Sequence, residues 1–393
     1  MAVLRAASAA LVVAAVAFAP APAARADIVR DRQQPVLAAL GVENAWRTTR
    51  GAGVTVAVID SGVDPAQADL RGAVTTGPNY LTHIDRSSRP LRRHGTAMAS
   101  LIAGRGHGPG GRDGIIGVAP QVKILAIRAL AERGDPGYFS YQGDSRARNA
   151  VARGIRHAAD EGADVINLSL GKYVSNTAER EAIGYAIERG VVVVAAAGNE
   201  GDEPRRTDSG GYTEFSYPAG YPGVITVAAA TPEHRRAPFS NRNHSVVVAA
   251  PGVEIATAAP GGDYFLTDGT SNSTALVSGV VALIRAKYPR LTPGLVAQAL
   301  VTSAQGDGYN PELGFGEVNA ARALEAAAPL AGATPQGKPA AQRFGGETGP
   351  VAVIDRPFWL TYGAPGLSVA GLGGAAVAFF VVARIHGRAR REP

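Results

Sequence analysis

The chain has 393 residues, 46% hydrophobic and 18% charged, enough to bury a sizeable core in one large domain. It has no cysteine, which excludes disulfides, thiol nucleophiles and Cys-ligated zinc. The formal charge of +6 sits at the ends, with +2 on residues 1–26, +3 on residues 384–393 and +1 on everything between, a pattern of membrane topology and not of nucleic-acid binding.

Residues 1–26 start with Arg5, run apolar from Ala6 to Ala19 and end in Ala24-Arg25-Ala26. That pattern predicts a secretory signal, with Asp27 opening the mature chain. Residues 27–50 are too few to form a domain of their own. Val36, Leu37, Leu40 and Trp46 predict a short helix and an extended arm lying on the domain that follows.

From Val54 onward, apolar strand-like runs alternate with helical stretches. Strands are expected at Val54–Ile59, Val122–Ile127, Val165–Leu168, Val191–Ala196, Val224–Ala229 and Val246–Ala250. Helices are expected at Ala97–Ala103, Ala147–Glu161, Ala178–Arg189, Ser273–Lys287 and Pro293–Ser303. The alternation predicts an α/β fold, a mostly parallel sheet with helices on both faces. It puts Asp60 at a strand's carboxyl end, where such sheets carry their sites.

The glycine-rich stretch Gly104–Gly114 lacks the Gly-Lys-Ser/Thr ending of a phosphate loop and follows a helix, so it is expected to be a flexible surface loop near the cleft. His83, His107, His157, His234 and His244 lack metal-binding spacing. Asp64 and Asp69 are two carboxylates without a cage, so a structural calcium is unsupported and neither metal nor cofactor is expected. A Gly314–Asn319 turn and a helix to about Ala327 should close the domain. An Ala/Pro/Gly-rich linker is expected at 328–357. Residues 358–383 contain no charge over 26 positions and predict one transmembrane helix, followed by a basic tail at 384–393. The arginines of that tail put it in the cytoplasm and the large domain outside.

Three stretches carry chemistry. Gly269-Thr270-Ser271 opens an apolar helix, so a hydroxyl sits at a helix N-terminus, where backbone N–H groups and the helix dipole favour negative charge on a substrate oxygen. The strand Val54–Ile59 ends in Asp60-Ser61-Gly62, and His94-Gly95-Thr96 opens a small-residue helix. A buried aspartate can fix an imidazole tautomer, and the imidazole can take the serine proton. With Asp60, His94 and Ser271 in that order along the sequence, the chain resembles the subtilisin-like serine proteases from about Gly51 to Leu324. Ala195–Gly201 resembles the block whose asparagine, here Asn199, donates to the oxyanion, and Asn167–Gly171 the strand that pairs with substrate backbone through Ser169, Leu170 and Gly171.

The resemblance implies a subtilisin-like catalytic domain at 51–327 that hydrolyses peptide bonds through an acyl-enzyme. It departs from the family at Ala275, where relatives usually carry proline, and in the polar run Asn272-Ser273-Thr274; Ser271 is therefore expected to sit slightly back, altering acylation against deacylation. Signal, arm, domain, linker and span together resemble the mycosins, the membrane-anchored subtilases of type VII secretion systems, although mycosins often carry disulfides. That resemblance implies a protein substrate and secretion-system membrane components as partners. A scaffolding component with secondary proteolysis and a general cell-surface subtilase stay open beside it.

Overall fold

The computed structural model describes residues 28–87 and 89–332. The expected signal segment, the linker from residue 333 on, the span and the tail lie outside them. Among the described residues, no helix is long and apolar enough to cross a membrane.

The arm forms two helices, α1 (Ile28–Ala39) and α2 (Val42–Ala45), joined at Gly41 with φ of 63°. No extended arm forms there, because Leu37, Leu40 and Val42 turn inward to join the main core. The sheet follows, built from β1 (Thr55–Asp60) and β2 (Val74–Asn79). After α3 (Arg93–Ala103) come the short strands β3 (Arg105–His107) and β4 (Asp113–Ile116), then β5 (Lys123–Arg128) and the one-turn helix α4 (Tyr138–Gly143). Next are α5 (Ala150–Asp160), β6 (Val165–Leu168), α6 (Thr177–Glu188), β7 (Val192–Ala196), β8 (Ile225–Ala230) and β9 (Val248–Pro251). The hairpin β10 (Ile255–Ala258) and β11 (Tyr264–Thr267) leads into α7 (Thr270–Lys287), α8 (Pro293–Ser303) and α9 (Ala320–Ala331).

Seven strands form one sheet in the order β2-β5-β1-β6-β7-β8-β9, with every pairing parallel. Alternate residues of each strand face opposite layers. Val56, Val58, Ile124, Val165 and Val194 pack with α3, α7, α8 and α9. Ala57, Ile59, Leu125, Ile166 and Val193 pack with α5 and α6. Both faces are covered, which is why the strands read as unbroken apolar runs. β1 lies between β5 and β6; the chain fills one half of the sheet first, going to the edge strand β2 and back to β5, then crosses β1 and winds outward through β6 to β9. Asp60 stands at the crevice this creates.

Several boundaries differ from expectation. The segment expected as one helix from Ala147 begins as a 3-10 turn, 147–149, before α5. α9 runs to Ala331, so residues 328–331 belong to it and not to a linker. Its apolar stripe of Ala320, Ala323, Leu324 and Ala327 continues through Leu330 onto the core. The glycine-rich stretch expected as a flexible loop near the cleft is instead the antiparallel ribbon β3–β4. Gly114 has φ of 72°, and a Cβ there would stand 2.2 Å from Asp69 Oδ1, so glycine is required where the ribbon meets that carboxylate. Arg30 of α1 donates to the carbonyls of Gly111, Asp113 and Gly114 at 3.0–3.4 Å, and Gln33 exchanges hydrogen bonds with Ile116 at 2.5 and 3.0 Å.

Candidate active site

The Asp60 side chain is fully buried at the end of β1. Its carboxylate accepts from the backbone N–H of Ser61 at 2.6 Å and meets His94 Nδ1 at 2.8 and 2.9 Å. Those contacts fix the imidazole ring and leave Nε2 to face the cleft. The close approach depends on Gly95, where a Cβ would fall 2.2 Å from the Gly62 carbonyl oxygen. Burial pushes the His94 pKa down, but the charge and hydrogen bond of Asp60, helped by Glu132, outweigh it and hold the imidazole above the ordinary histidine value.

Ser271 is the second residue of α7, one position beyond Thr270, with Gly269 as the N-cap. Its hydroxyl donates to the Ser169 carbonyl at 3.2 Å, while the Ser169 hydroxyl donates to the Ser271 carbonyl at 2.9 Å. Behind this reciprocal pair, Asn167 Nδ2 donates to Ser169 Oγ at 3.0 Å and Ser278 Oγ to Asn167 Oδ1 at 3.0 Å. All of these polar side chains except Ser271 are almost completely buried, so the chain of bonds pins the turn bearing Ser271 to β6.

The departure at Ala275 has a local account. A proline there would lack the N–H that a regular helix directs to the carbonyl four residues back, which is that of Ser271. Alanine keeps that N–H, and Ser169 adds a second donor to the same oxygen. The polar run around it is latched in place. Asn272 Nδ2 donates to the Thr267 carbonyl at 2.9 Å, Ser273 Oγ to the Pro251 carbonyl at 3.1 Å and Thr274 Oγ1 to the Thr270 carbonyl at 2.7 Å.

Asn199 follows β7 on a loop held by Asn241, which accepts from Glu200 N–H and donates to the Ala197 carbonyl. The Asn199 Oδ1 accepts from both the N–H and the hydroxyl of Thr270, at 2.9 and 2.8 Å. With its oxygen committed, its amide nitrogen is the end left for an oxyanion. Nothing in the sequence pattern singled out Thr270 as the orienting residue, since a threonine at a helix start is ordinarily a cap.

His94, Ser271 and Asn199 line one cavity of about 410 Å³, walled by Met98, Glu132, Phe265 and Asn272 among others. A larger recess of about 550 Å³ lies at the amino ends of β6 and β7, around Asp164, Gly190 and Arg285, away from these groups. Leu170 and Gly171 emerge at the surface beyond Ser169, and Lys172 then pairs with Tyr217 through two backbone bonds of 2.9 and 2.7 Å.

Asp64, Asp69, His83, His107 and His234 are engaged elsewhere. The buried Asp69 carboxylate accepts from Ile115 N–H and Tyr264 O–H and meets His107 Nδ1 at 2.7 Å, so its oxygens are already occupied. Asp64 accepts from Ala66 and Gly261 N–H groups. His83 lies 2.8 Å from Asp144 and His234 2.8 Å from Glu317. Among the described residues, no cluster of three or more metal-ligating side chains occurs.

Comparison with known proteins matches the subtilase family over residues 51–316. Fervidolysin of Fervidobacterium pennivorans is 35% identical over 327 residues, covering 75% of this chain and 44% of that protein. Subtilisin E of Bacillus subtilis (strain 168) is 35% identical over 275 residues, covering 70% of this chain and 66% of that one. The chain thus spans between about two fifths and two thirds of these two relatives. The structure of MycP3 protease from the type VII (ESX-3) secretion system superposes with a TM-score of 0.60 at 32% identity, covering 74% of this chain and 88% of that one. With a buried carboxylate, an imidazole and a helix-borne serine gathered at the carboxyl end of its parallel sheet, the chain belongs to the subtilase family.

Proposed function

We propose that this protein hydrolyses peptide bonds through an acyl-enzyme, with Ser271 as nucleophile. The reading rests on one observation: His94, tied to the buried Asp60, shares its cavity with a serine at a helix N-terminus and with Asn199. The Ser271 hydroxyl turns from the Ser169 carbonyl toward His94 and attacks the scissile carbonyl. His94 takes its proton and later returns it to the leaving amine, while Asp60 maintains the tautomer and stabilises the imidazolium. Asn199 and the Ser271 N–H donate to the tetrahedral oxyanion. Ser169, Leu170 and Gly171 align the peptide backbone, which selects little by sequence. No step calls for a metal or cofactor. A fluorophosphonate probe should label the wild type and not Ser271→Ala; absence of labelling in the wild type would refute this reading.

The biological setting we infer is that of a mycosin, anchored by residues 358–383 with its catalytic domain outside the membrane. Likeness to the MycP3 protease and the signal-like and span-like segments of the sequence support it. Its partners would be a protein substrate and membrane components of a type VII secretion system. Protease added to intact spheroplasts should reach the catalytic domain and spare a tag after Pro393. Protection of both ends would sink the anchored topology, and purification free of other membrane proteins, with ready cleavage of casein, would favour a general cell-surface subtilase.

A further inference from the structure

His94 is the second residue of α3, and α3 starts without a cap of its own. Its N-cap, Arg92, has φ of 57° and makes no side-chain capping bond. The first N–H groups of the helix are paired all the same, by side chains from other elements. Arg93 N–H donates to Glu132 Oε1 at 2.7 Å, His94 N–H to Glu132 Oε2 at 3.1 Å and Gly95 N–H to Ser61 Oγ at 3.1 Å. Both oxygens of one carboxylate thus straddle the turn that carries the imidazole, at the end of the helix where negative charge is favoured.

Glu132 is itself held. Its N–H donates to Asp135 Oδ2 at 3.1 Å, and Asp135 N–H returns to the Glu132 carbonyl at 2.8 Å. Asp135 also accepts from Leu91 N–H, just before α3, and from the buried Arg128 at 3.1 Å. Arg128 in turn donates to the Ser61 carbonyl at 2.7 Å, so the loop bearing Glu132 and the turn after Asp60 share one anchor. This loop also lines the catalytic cavity through Glu132.

We propose that Glu132 is a positioning residue for His94, fixing the backbone of the imidazole's turn and adding a second negative charge near the ring. Asp60 then sets the ring through its side chain and Glu132 sets it through its main chain. Asp60 from β1 meets the imidazole, and the charged groups that share the cavity lining with it are Glu132 from the loop after β5, Arg93 at the start of α3 and Asp268 after β11. Glu132 is the carboxylate besides Asp60 that raises the affinity of His94 for its proton. Burial pushes the Glu132 carboxyl's own pKa up, against the Arg93 and His94 N–H bonds that favour its charged form; where it is ionised, removing its charge lowers the proton affinity of His94, and the neutral base persists to lower pH.

The inference rests on the endopeptidase reading only for its kinetics, so the test has an arm that needs no turnover. The His94 ring resonance, assigned by its loss in His94→Gln, should titrate at lower pH in Glu132→Gln than in the wild type. In parallel, the acid limb of kcat/KM for a peptide substrate should move to lower pH in Glu132→Gln. Glu132→Ala should lower kcat about tenfold with KM nearly unchanged, and Glu132→Asp should recover part of that loss. An unchanged His94 titration in Glu132→Gln would overturn the charge role, and an unchanged kcat in Glu132→Ala would overturn positioning. If the wild type hydrolyses no peptide, the endopeptidase reading fails, while the titration still decides the place of Glu132. If Glu132→Ala does not fold, the Glu132→Gln pair of measurements stands alone.

Discussion

Thr270 offers a sharp test of how the oxyanion donor is aimed. Thr270→Val keeps the shape and the backbone N–H, yet removes the hydroxyl that donates to Asn199 Oδ1 at 2.8 Å. Losing the Asn199 donor altogether should lower kcat roughly 10²–10³-fold. The variant instead keeps the donor and loosens it, because the Thr270 N–H still holds Oδ1 at 2.9 Å. One neutral hydrogen bond is worth about 1 kcal/mol net, which corresponds to about a fivefold loss in kcat with KM steady. Gly198 N–H also loses its 3.3 Å acceptor, so Tm should fall by a few degrees. The assay is steady-state hydrolysis of a peptide substrate by the two single variants, Thr270→Val and Asn199→Ala, and by the double variant. If Thr270 acts through Asn199, it should cost little once Asn199 is gone. The same fivefold loss in the Asn199→Ala background, or a loss seen only in KM, would refute the reasoning.

Ser271→Ala should abolish peptide hydrolysis while Ser273→Ala keeps at least part of it, since Ser273 points to the Pro251 carbonyl behind the helix; equal losses with circular dichroism unchanged would contradict the assignment. The Asp60–His94 pair raises the folded-state His94 pKa, so its contribution to stability is full below the unfolded histidine pKa and is lost as pH rises through the folded value. The Tm difference between wild type and His94→Gln should accordingly shrink on going alkaline, and calorimetry across that range checks it. Arg30→Ala should lower Tm by several degrees, because three ribbon carbonyls lose a charged donor. Since Asp69 is already saturated and Arg30 serves the ribbon, treatment with a chelator should leave the wild-type Tm where it is; a fall restored by calcium would show a bound cation.

The sheet was legible because its strands are buried on both faces and carry long β-branched runs, as in Val54–Ile59 and Val191–Ala196. β2 was not, because as an edge strand it mixes exposed Thr75 and Thr76 with Gly77 and Pro78 and so shows no apolar run. The hairpin β10–β11 escaped for a similar reason: its second strand is half exposed. Asp60, His94, Asn199 and Ser271 stood out because each lies within two residues of a glycine at the end of a strand or the start of a helix, in a short local motif. Glu132 carries no such mark. Its partners lie 38 and 39 positions away in sequence, and only the folding of the loop after β5 onto α3 brings them together.

The Ser169 carbonyl serves two customers. At rest it receives the Ser271 hydroxyl, yet it belongs to the strip of backbone along which an incoming peptide is expected to lie. A peptide N–H donating to the same oxygen would compete with this long hydrogen bond and favour the turn of the hydroxyl toward His94, which would couple arrival of substrate to arming of Ser271. A small acylating reagent with no peptide portion brings no such rival. It should therefore acylate Ser271 more slowly than a peptidyl reagent of matched intrinsic reactivity, after each rate is corrected for binding. Equal corrected rates would mean that the resting hydrogen bond restrains nothing, and that Ser271 swings freely whether or not the cleft is filled.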